Sequence, residues 1–433
     1  MKLRINSVPR LRGEVTLPGD KSITHRALLL GAIAEGASHV EGFQSGGDCQ
    51  ATFSCLQALG VLIERPGPGE LVIQGRGLRG WREPTNVLNC VRSGTTMRLL
   101  AGLLAGQGFY SVLTGDAQLL RRPMDRITEP LRAMGAHIWG REGGRLPPLS
   151  IRGSALHGVE HPLNVASAQV KSCLLLAGLY AEGETTVIEP GPSRDHTERM
   201  LRARGVAVRT EGLRHTIQGP VERLNAVDTI VPGDFSSAAY FIVGAMLVPD
   251  SHVLVKNVNI NPTRTGLLDA LAAMGGSVQV LNARDTGGEP VADLLIESQH
   301  LRATHIGGDL VPRMIDEFPI LALAATQAEG VTRVRDAAEL RVKESDRIAT
   351  IVSALRALGA HIEAYDDGFD IEGPTPLVGA PVECYGDHRL AMTLAIAGLI
   401  ASGQTTIQGT ECIADSFPGF QECLLTLTEG AAL

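Results

Sequence analysis

No stretch of this chain reaches the roughly 18 consecutive apolar residues that a membrane-spanning helix needs, although 44% of its residues are hydrophobic. The opening Met1-Lys2-Leu3-Arg4-Ile5-Asn6 lacks the apolar core of a secretory signal, so the expectation is a cytoplasmic protein with no membrane partner. The seven cysteines, at 49, 55, 90, 173, 384, 412 and 423, form no C-x-x-C pair. Their odd number and irregular spacing argue against a disulfide framework and a cysteine-rich zinc site, and leave buried, reduced thiols as the expectation. There is no basic run. Lys+Arg total 39 against 47 Asp+Glu, a net charge of −8, which makes nucleic acid a poor partner. Such a chain binds small anions only through local clusters of Lys and Arg.

Three tempting motifs fail on context. No G-x-S-x-G nucleophile elbow is present. Residues 75–80 read G-x-G-x-x-G after a strand-like stretch, but Trp81-Arg82-Glu83-Pro84 follows in place of a helix, so a turn is expected. His157 and His161 have a metal-like spacing, yet Gly158 and Pro162 disfavour a helix there. A surface loop and no metal are expected.

What the sequence does hold is repetition. At 433 residues it exceeds one ordinary core, so two domains are the default. A helix-like run of small and aliphatic residues, a short break and a β-rich stretch recur six times: LLLGAIAEGASHV (28–40), LLAGLLAGQGFYSV (99–112), LLLAGLYAEGETTV (174–187), YFIVGAMLVPDSHV (240–253), LALAATQAEGVTRV (321–334) and LAIAGLIASGQTTI (394–407). Glycine marks the break at 36, 106, 183, 330 and 403, with Asp250 standing in once. A second marker, Leu-x-x-x-Gly, closes another helix in each repeat, with glycines at 60, 135, 205, 275 and 359 and a worn copy near 424–430. Glycine there suits a left-handed residue just past a helix end. Six units of about 72 residues account for the chain, each reading β-α-β-α-β-β. Helices so rich in Ala, Gly and Leu look buried on most sides, which places helices inside and sheets outside.

Cationic clusters recur at the starts of these small-residue helices. Pro18-Gly19-Asp20-Lys21-Ser22-Ile23-Thr24-His25-Arg26 follows a strand, with Ser22 the expected N-cap. It is not a phosphate-binding P-loop, because Asp20 stands where glycine is needed. Arg92-Ser93-Gly94-Thr95-Thr96-Met97-Arg98 and Ser167-Ala168-Gln169-Val170-Lys171-Ser172 hold the same place in later repeats, and Gly94 would admit a ligand close to the backbone. Arg121-Arg122-Pro123, Arg194-Asp195-His196-Thr197-Glu198, Asp316-Glu317-Phe318-Pro319, the run Arg341-Val342-Lys343-Glu344-Ser345-Asp346-Arg347 and Tyr385-Gly386-Asp387-His388-Arg389 complete the set. Any one of these fits an ordinary solvated helix start. Their recurrence at one point of the repeat points to helix N-termini converging on an anion-binding face.

At these motifs, and over essentially its whole length, the chain resembles the 5-enolpyruvylshikimate-3-phosphate (EPSP) synthases. The resemblance implies an α/β fold, a two-domain inverse α/β barrel of six β-α-β-α-β-β repeats. One domain is inserted in the other: residues 20–230 on the shikimate-phosphate side, residues 1–19 with 231–433 on the phosphoenolpyruvate carboxylate side. It implies transfer of the enolpyruvyl group of phosphoenolpyruvate to the 5-hydroxyl of shikimate 3-phosphate, with phosphate released, by a cytoplasmic monomer that uses no metal or cofactor. In this family glyphosate occupies the phosphoenolpyruvate site. Lys21, Ser22, Arg26, Ser167, Ala168, Gln169, Arg194, Asp316 and Lys343 match the shikimate 3-phosphate residues. Lys21, Gly94, Arg122, Gln169, Arg347 and Arg389 match those for phosphoenolpyruvate, and Asp316, Glu344 and Lys21 the catalytic ones. Arg194-x-His196-x-Glu198 and Asn261-x-Thr263-Arg264 resemble the family's second class. The chain departs from other members in two places: Asp415-Ser416 precedes Phe417-Pro418 where some carry lysine, and Arg92 stands where many have asparagine.

Two other readings compete. The related transferases acting on UDP-N-acetylglucosamine have Lys-Asn where this chain has Lys21-Ser22 and lack the 341–347 element. A non-catalytic anion-binding repeat protein would have no need for Asp316 and Glu344.

Overall fold

The computed structural model describes residues 1–432. It divides into two compact units: Met1–Pro18, Pro232–Asp285 and Pro290–Leu433 form one, Gly19–Val231 and Thr286–Glu289 the other. They are called here the 232–433 unit and the 19–231 unit, and each has its own apolar core.

The 19–231 unit contains α1 (Lys21–Ile33), α2 (Gly47–Ala58), α3 (Gly94–Ala105), α4 (Asp125–Ala133), α5 (Ala168–Gly178) and α6 (His196–Ala203). The 232–433 unit contains α7 (Phe235–Leu247), α8 (Gly266–Ala273), the single turn α9 (Leu310–Arg313), α10 (Phe318–Thr326), α11 (Arg347–Ala357), α12 (His388–Ile400) and α13 (Phe420–Leu427). The small-residue runs read from the sequence are α1, α3, α5, α7, α10 and α12. All six are buried along almost their whole length. They pack closely because their small residues let backbones meet. A β-carbon on Gly102 of α3 would lie 2.2 Å from the Cys173 carbonyl of α5, closer than any side chain tolerates.

The sheets repeat one order. Leu88–Asn89 pairs parallel with Tyr110–Thr114, which pairs antiparallel with Leu146–Arg152, which pairs antiparallel with His137–Arg141. The same order holds for Glu160–Pro162, Gly183–Ile188, Arg214–Gly219 and Val208–Glu211, and for His305–Ile306, Gly330–Val334, Gly368–Gly373 and His361–Tyr365. At the two places where the chain passes from one unit to the other, the leading strand stays behind. Arg12–Thr16, just before α1, pairs with His252–Asn259 in the 232–433 unit, and Thr229–Ile230, just before α7, pairs with Glu35–Glu41 in the 19–231 unit. The last sheet is completed differently: Pro381–Glu383 pairs with Thr405–Gln408, whose other neighbour is the N-terminal strand Lys2–Ile5.

The second marker behaves as its glycines require. Gly60, Gly135, Gly205, Gly275 and Gly359 have φ between 84° and 100°, and the worn copy ends on Gly430 at φ 82°. Asp250, the stand-in at the other break, is also left-handed at φ 50°, a conformation aspartate tolerates better than most residues. The G-x-G-x-x-G stretch is a turn after Glu70–Arg76, with no helix behind it. His161, however, is not on a surface loop. It lies at 8% exposure in the strand Glu160–Pro162, which pairs parallel with Gly183–Ile188 and sets His161 beside Val187. Six cysteines are buried and Cys423 partly so, all as free thiols. No helix of the described residues is long and apolar enough to cross a membrane.

Candidate active site

In the 19–231 unit the starts of α1, α3 and α5 meet. Asp20, not Ser22, caps α1: its carboxylate accepts from the Ile23 amide at 2.9 Å. A carboxylate one residue upstream of Lys21 meets the free amides directly, which leaves the Ser22 side chain on the first turn. Lys21 Nζ is 3.0 Å from Asp48 at the start of α2. Arg26 is buried at 3% exposure and donates to Thr197 Oγ1 (2.6 Å), Ser172 Oγ (2.8 Å) and the Ser22 carbonyl (2.9 Å). It therefore ties α1 to both α5 and α6. Burial pulls its pKa down to about 10, opposed by Glu198 and Asp20.

Gly94 opens α3, capped by Ser93, whose hydroxyl accepts from the Thr96 amide at 3.1 Å. A β-carbon there would lie 2.8 Å from Arg98 Nη1 and 3.0 Å from Arg122 Nη1, so Gly94 is the floor on which two guanidiniums rest. Arg98 donates to Gln169 Oε1 at 2.6 Å and to the Pro123 carbonyl at 3.1 Å, and Gln169 donates to Thr95 Oγ1 at 2.8 Å. Gln169, Gly94 and Arg122 thus share one corner, with Ser167 and Ala168 at the head of α5 beside it. Pro123 does not open α4: it stands before the N-cap Met124, two residues ahead of the first helical residue, Asp125. Arg92 is turned outward to Asp116, 2.9 Å away, with 43% of its side chain exposed.

In the 232–433 unit the same face of the inner helices carries both signs of charge. Arg347, at 1% exposure, reaches Asp316 (3.4 Å), Glu344 (2.7 Å) and Asp387 (2.8 Å). Arg389 lies 3.5 Å from Asp316. Burial alone would lower the pKa of Arg347, but Asp387 and Glu344 raise it. Arg389 is likewise held up by Asp316 against burial. Asp387 caps α12, accepting from the Arg389 amide at 2.9 Å. Its pKa is held down by Arg347 although burial opposes this. Lys343 is largely buried, and burial lowers its pKa despite Asp316, Glu339 and Glu344. Asp316 sits in the turn between α9 and α10. That turn is fixed by Glu317, which accepts from Ser236 Oγ at 2.5 Å, and Ser236 in turn accepts from Arg264 at 2.9 Å. Arg264 also pairs with Asp234 at 2.9 Å, which gives the Asn261-x-Thr263-Arg264 motif a physical role. Asp415 ends a 3-10 turn, and Phe417 packs edge-on against Phe241 and Phe420.

The structure therefore brings Lys21, Ser22, Arg26, Gly94, Arg122, Ser167, Ala168, Gln169 and Arg194 into one unit and Asp316, Lys343, Glu344, Arg347 and Arg389 into the other. Sequence reasoning gave no role to Asp48, Arg98 or Asp387. Arg98 and Asp387 stood inside quoted motifs, but their partners lie 71 and 40 residues away, beyond the reach of local pattern. Among the described residues no group of three His, Cys, Asp or Glu side chains could hold a metal ion.

The model of the EPSP synthase (3-phosphoshikimate 1-carboxyvinyltransferase) family matches residues 5–424. A 3-phosphoshikimate 1-carboxyvinyltransferase of Geobacter metallireducens is 54% identical over 410 residues, covering 95% of each chain. One from Brevibacillus brevis is 50% identical over 427 residues, 99% of this chain and all of its own. The solved EPSP synthase of Acinetobacter baumannii superposes with a TM-score of 0.87 at 47% identity over 98% of both chains. The enolpyruvyl transferase NikO of Streptomyces tendae, at 20% identity and TM-score 0.82, shares the fold. With the inverse α/β barrel architecture, the ordered anion-binding motifs and relatives of this closeness along nearly all of its length, the chain belongs to the EPSP synthase family.

Proposed function

We propose that this chain transfers the enolpyruvyl group of phosphoenolpyruvate to the 5-hydroxyl of shikimate 3-phosphate, releasing phosphate, and that the residues gathered in each unit divide the work as follows. In the 19–231 unit, Lys21, Ser22, Arg26, Ser167, Ala168, Gln169 and Arg194 hold shikimate 3-phosphate. Lys21, Gly94, Arg122 and Gln169 serve phosphoenolpyruvate. In the 232–433 unit, Arg347 and Arg389 hold the phosphoenolpyruvate carboxylate, Asp316 and Lys343 contact shikimate 3-phosphate, and Asp316 and Glu344 move protons. Residues 20–230 are the shikimate-phosphate side, and 1–19 with 231–433 the carboxylate side. Arginine suits these anions because its planar fork meets carboxylate and phosphate through paired hydrogen bonds.

The reaction needs these residue types. The methylene carbon of phosphoenolpyruvate gains a proton while the 5-hydroxyl oxygen bonds to the adjacent carbon and loses its own. In the tetrahedral adduct that results, the C–O bond to phosphate breaks, the methyl group returns a proton, and the enol ether double bond forms. Two proton movements of opposite sense call for carboxylates that can both accept and donate. Charge developing on the adduct calls for fixed cations. The observation that carries the reading is Arg347, which touches Asp316, Glu344 and Asp387 together. It presents two carboxylates to the reacting atoms from a buried cation. The protein works as a cytoplasmic monomer on two small anions, without a cofactor or nucleic acid.

A phosphate-release assay tests the reading. With phosphoenolpyruvate present, shikimate 3-phosphate should support turnover and UDP-N-acetylglucosamine should not. Turnover with the nucleotide sugar alone would overturn the substrate assignment, and none with either would leave the anion-binding repeat protein.

A further inference from the structure

Beyond Lys21, Ser22 and Arg26 on α1, the residues of the 19–231 unit assigned to shikimate 3-phosphate lie on two stretches, Ser167, Ala168 and Gln169 at the head of α5 and Arg194 just ahead of α6. What fixes one stretch against the other is a buried charge cluster that the substrate reading does not use. Lys171, one turn along α5 from Ser167, has no exposed surface. Its Nζ lies 2.7 Å from Glu189 Oε2, 2.8 Å from Glu198 Oε1 and 3.5 Å from the carbonyl of Ser193. The Ser193 hydroxyl donates to the other oxygen of Glu189. His215, on the strand Arg214–Gly219, adds Nε2 at 3.0 Å from Glu189 and Nδ1 at 3.6 Å from Glu198. Both glutamates are about as buried as the lysine, with 1% of their side chains exposed.

A cluster of this kind is a poor source of stability. Removing such charges from water costs several kcal/mol per ion, and apolar replacements of equal volume are often as stable. What it does supply is fixed geometry. Lys171 reaches one residue before Arg194, through Ser193, and one on the helix behind it, through Glu198. The segment 189–198 is thereby clamped to the start of α5 on both sides of Arg194. Burial disfavours the Lys171 ammonium, but Glu198 and Glu189 keep its pKa above the usual value, so the clamp stays charged at neutral pH. A second, neutral tie runs alongside: Ser172 and Thr197, the neighbours of Lys171 and Glu198, lie 2.7 Å apart and both accept from Arg26.

We propose that Lys171 and Ser193 are positioning residues for the phosphate of shikimate 3-phosphate: the buried Lys171–Glu189–Glu198 cluster holds Arg194 at a set distance from Ser167 and Ala168, so that all three meet one phosphate. The proposal rests on the assignment of Arg194 to that phosphate. Lys171 and Ser193 do not themselves touch the substrate.

Ser193→Ala is the informative variant, because it removes the bond from the Ser193 hydroxyl to Glu189 that stiffens the clamped segment, without leaving a buried charge unpaired. Steady-state kinetics should show KM for shikimate 3-phosphate raised about tenfold, as for loss of a hydrogen bond to a charged group. The kcat and the KM for phosphoenolpyruvate should stay within about twofold, and the melting temperature should fall only by the few degrees that one lost buried hydrogen bond costs. Calorimetric binding of unphosphorylated shikimate should be unchanged, since only the phosphate grip is loosened. Lys171→Arg, which keeps the charge, should fall between Ser193→Ala and the parent, whereas Lys171→Met leaves two buried carboxylates and should lower the melting temperature as well. Arg194→Ala is the control. If it leaves KM for shikimate 3-phosphate unchanged, the assignment of Arg194 fails and the proposal with it. If it raises that KM while Ser193→Ala does not, or if Ser193→Ala weakens shikimate and shikimate 3-phosphate equally, the assignment stands and the positioning role is refuted.

Discussion

Replacing Gly94 by alanine should damage phosphoenolpyruvate binding through two guanidiniums, not through the backbone. Gly94 is the first residue of α3 and has no positive φ, so alanine is conformationally welcome there and even favours the helix by about 0.5–1 kcal/mol. The added methyl is the difficulty. Its carbon would lie 2.8 Å from Arg98 Nη1 and 3.0 Å from Arg122 Nη1, against about 3.5 Å for an unstrained contact. Each guanidinium must retreat by roughly 0.5–0.7 Å on that comparison. Arg98 has little freedom to do so, being held to Gln169 at 2.6 Å and to the Pro123 carbonyl at 3.1 Å. The displacement therefore passes to Arg122 and Gln169, both assigned to phosphoenolpyruvate. Weakening one charge-assisted hydrogen bond by about 1.5 kcal/mol gives about a tenfold rise in KM. Glyphosate is longer than phosphoenolpyruvate, and the family resemblance implies the same site for it, so it should lose more affinity than the substrate does. The assay is phosphate release at saturating shikimate 3-phosphate with phosphoenolpyruvate varied, repeated against glyphosate, beside a melting curve. An alanine variant with KM and inhibition constant both within twofold of the parent would show that Gly94 does not shape this corner. A large fall in melting temperature would show that the methyl is absorbed by the fold instead.

Asp316→Ala and Glu344→Ala should each lower kcat by on the order of 10²-fold or more, the usual cost of losing an acid–base group, while shikimate 3-phosphate binding measured by calorimetry changes much less; near-normal turnover in both would dismiss them as proton carriers. His25 gives a pH signature. It is wholly buried, its Nδ1 is bonded to Thr52 Oγ1 at 2.7 Å, and burial depresses its pKa to about 3. The unfolded chain therefore binds a proton near pH 6.5 that the folded chain refuses until far lower, so stability is full above about 6.5 and declines as pH falls toward 3, by about 2 kcal/mol at pH 5. Melting curves from pH 7 to pH 4.5 should show this fall, and His25→Gln should flatten it; an equal slope in both proteins would mean that the imidazole does not titrate between folded and unfolded states.

The repeat was legible because its marks are local. A left-handed glycine after a helix and a run of Ala, Gly and Leu are decided within a dozen residues, and Gly60, Gly135, Gly205, Gly275 and Gly359 all take the conformation their spacing foretells. The recurring helix starts were legible for the same reason. Less so was the choice between two nearby capping residues: Asp20 and Ser22 are both good N-caps by type, and two residues of difference in where α1 begins decided it. Nor does local pattern say which sheet a strand joins. Arg12–Thr16 reads as the leading strand of the repeat that contains α1, yet it pairs with His252–Asn259, some 240 positions along. His161 was misplaced on the same account, since its burial follows from the partner strand Gly183–Ile188 and not from its neighbours Glu160 and Pro162. The links that hold the site, Arg98 to Gln169 and Arg347 to Asp387, belong to this long-range class.

The strand Lys2–Ile5 has a consequence for how the protein is made. Its partners Thr405–Gln408 are made some 400 residues after it. At about 5–20 residues per second the wait between them is roughly 20–80 s. Gly19–Val231, by contrast, needs only Thr286–Glu289 from later in the chain, so its core can close while the rest is still being translated. During that interval Leu3 and Ile5, both buried in the finished protein, travel on the nascent chain with their hydrogen-bonding edge open. The vulnerable interval in synthesis thus opens with the codons for Lys2–Ile5 and closes only once those for Thr405–Gln408 have been read.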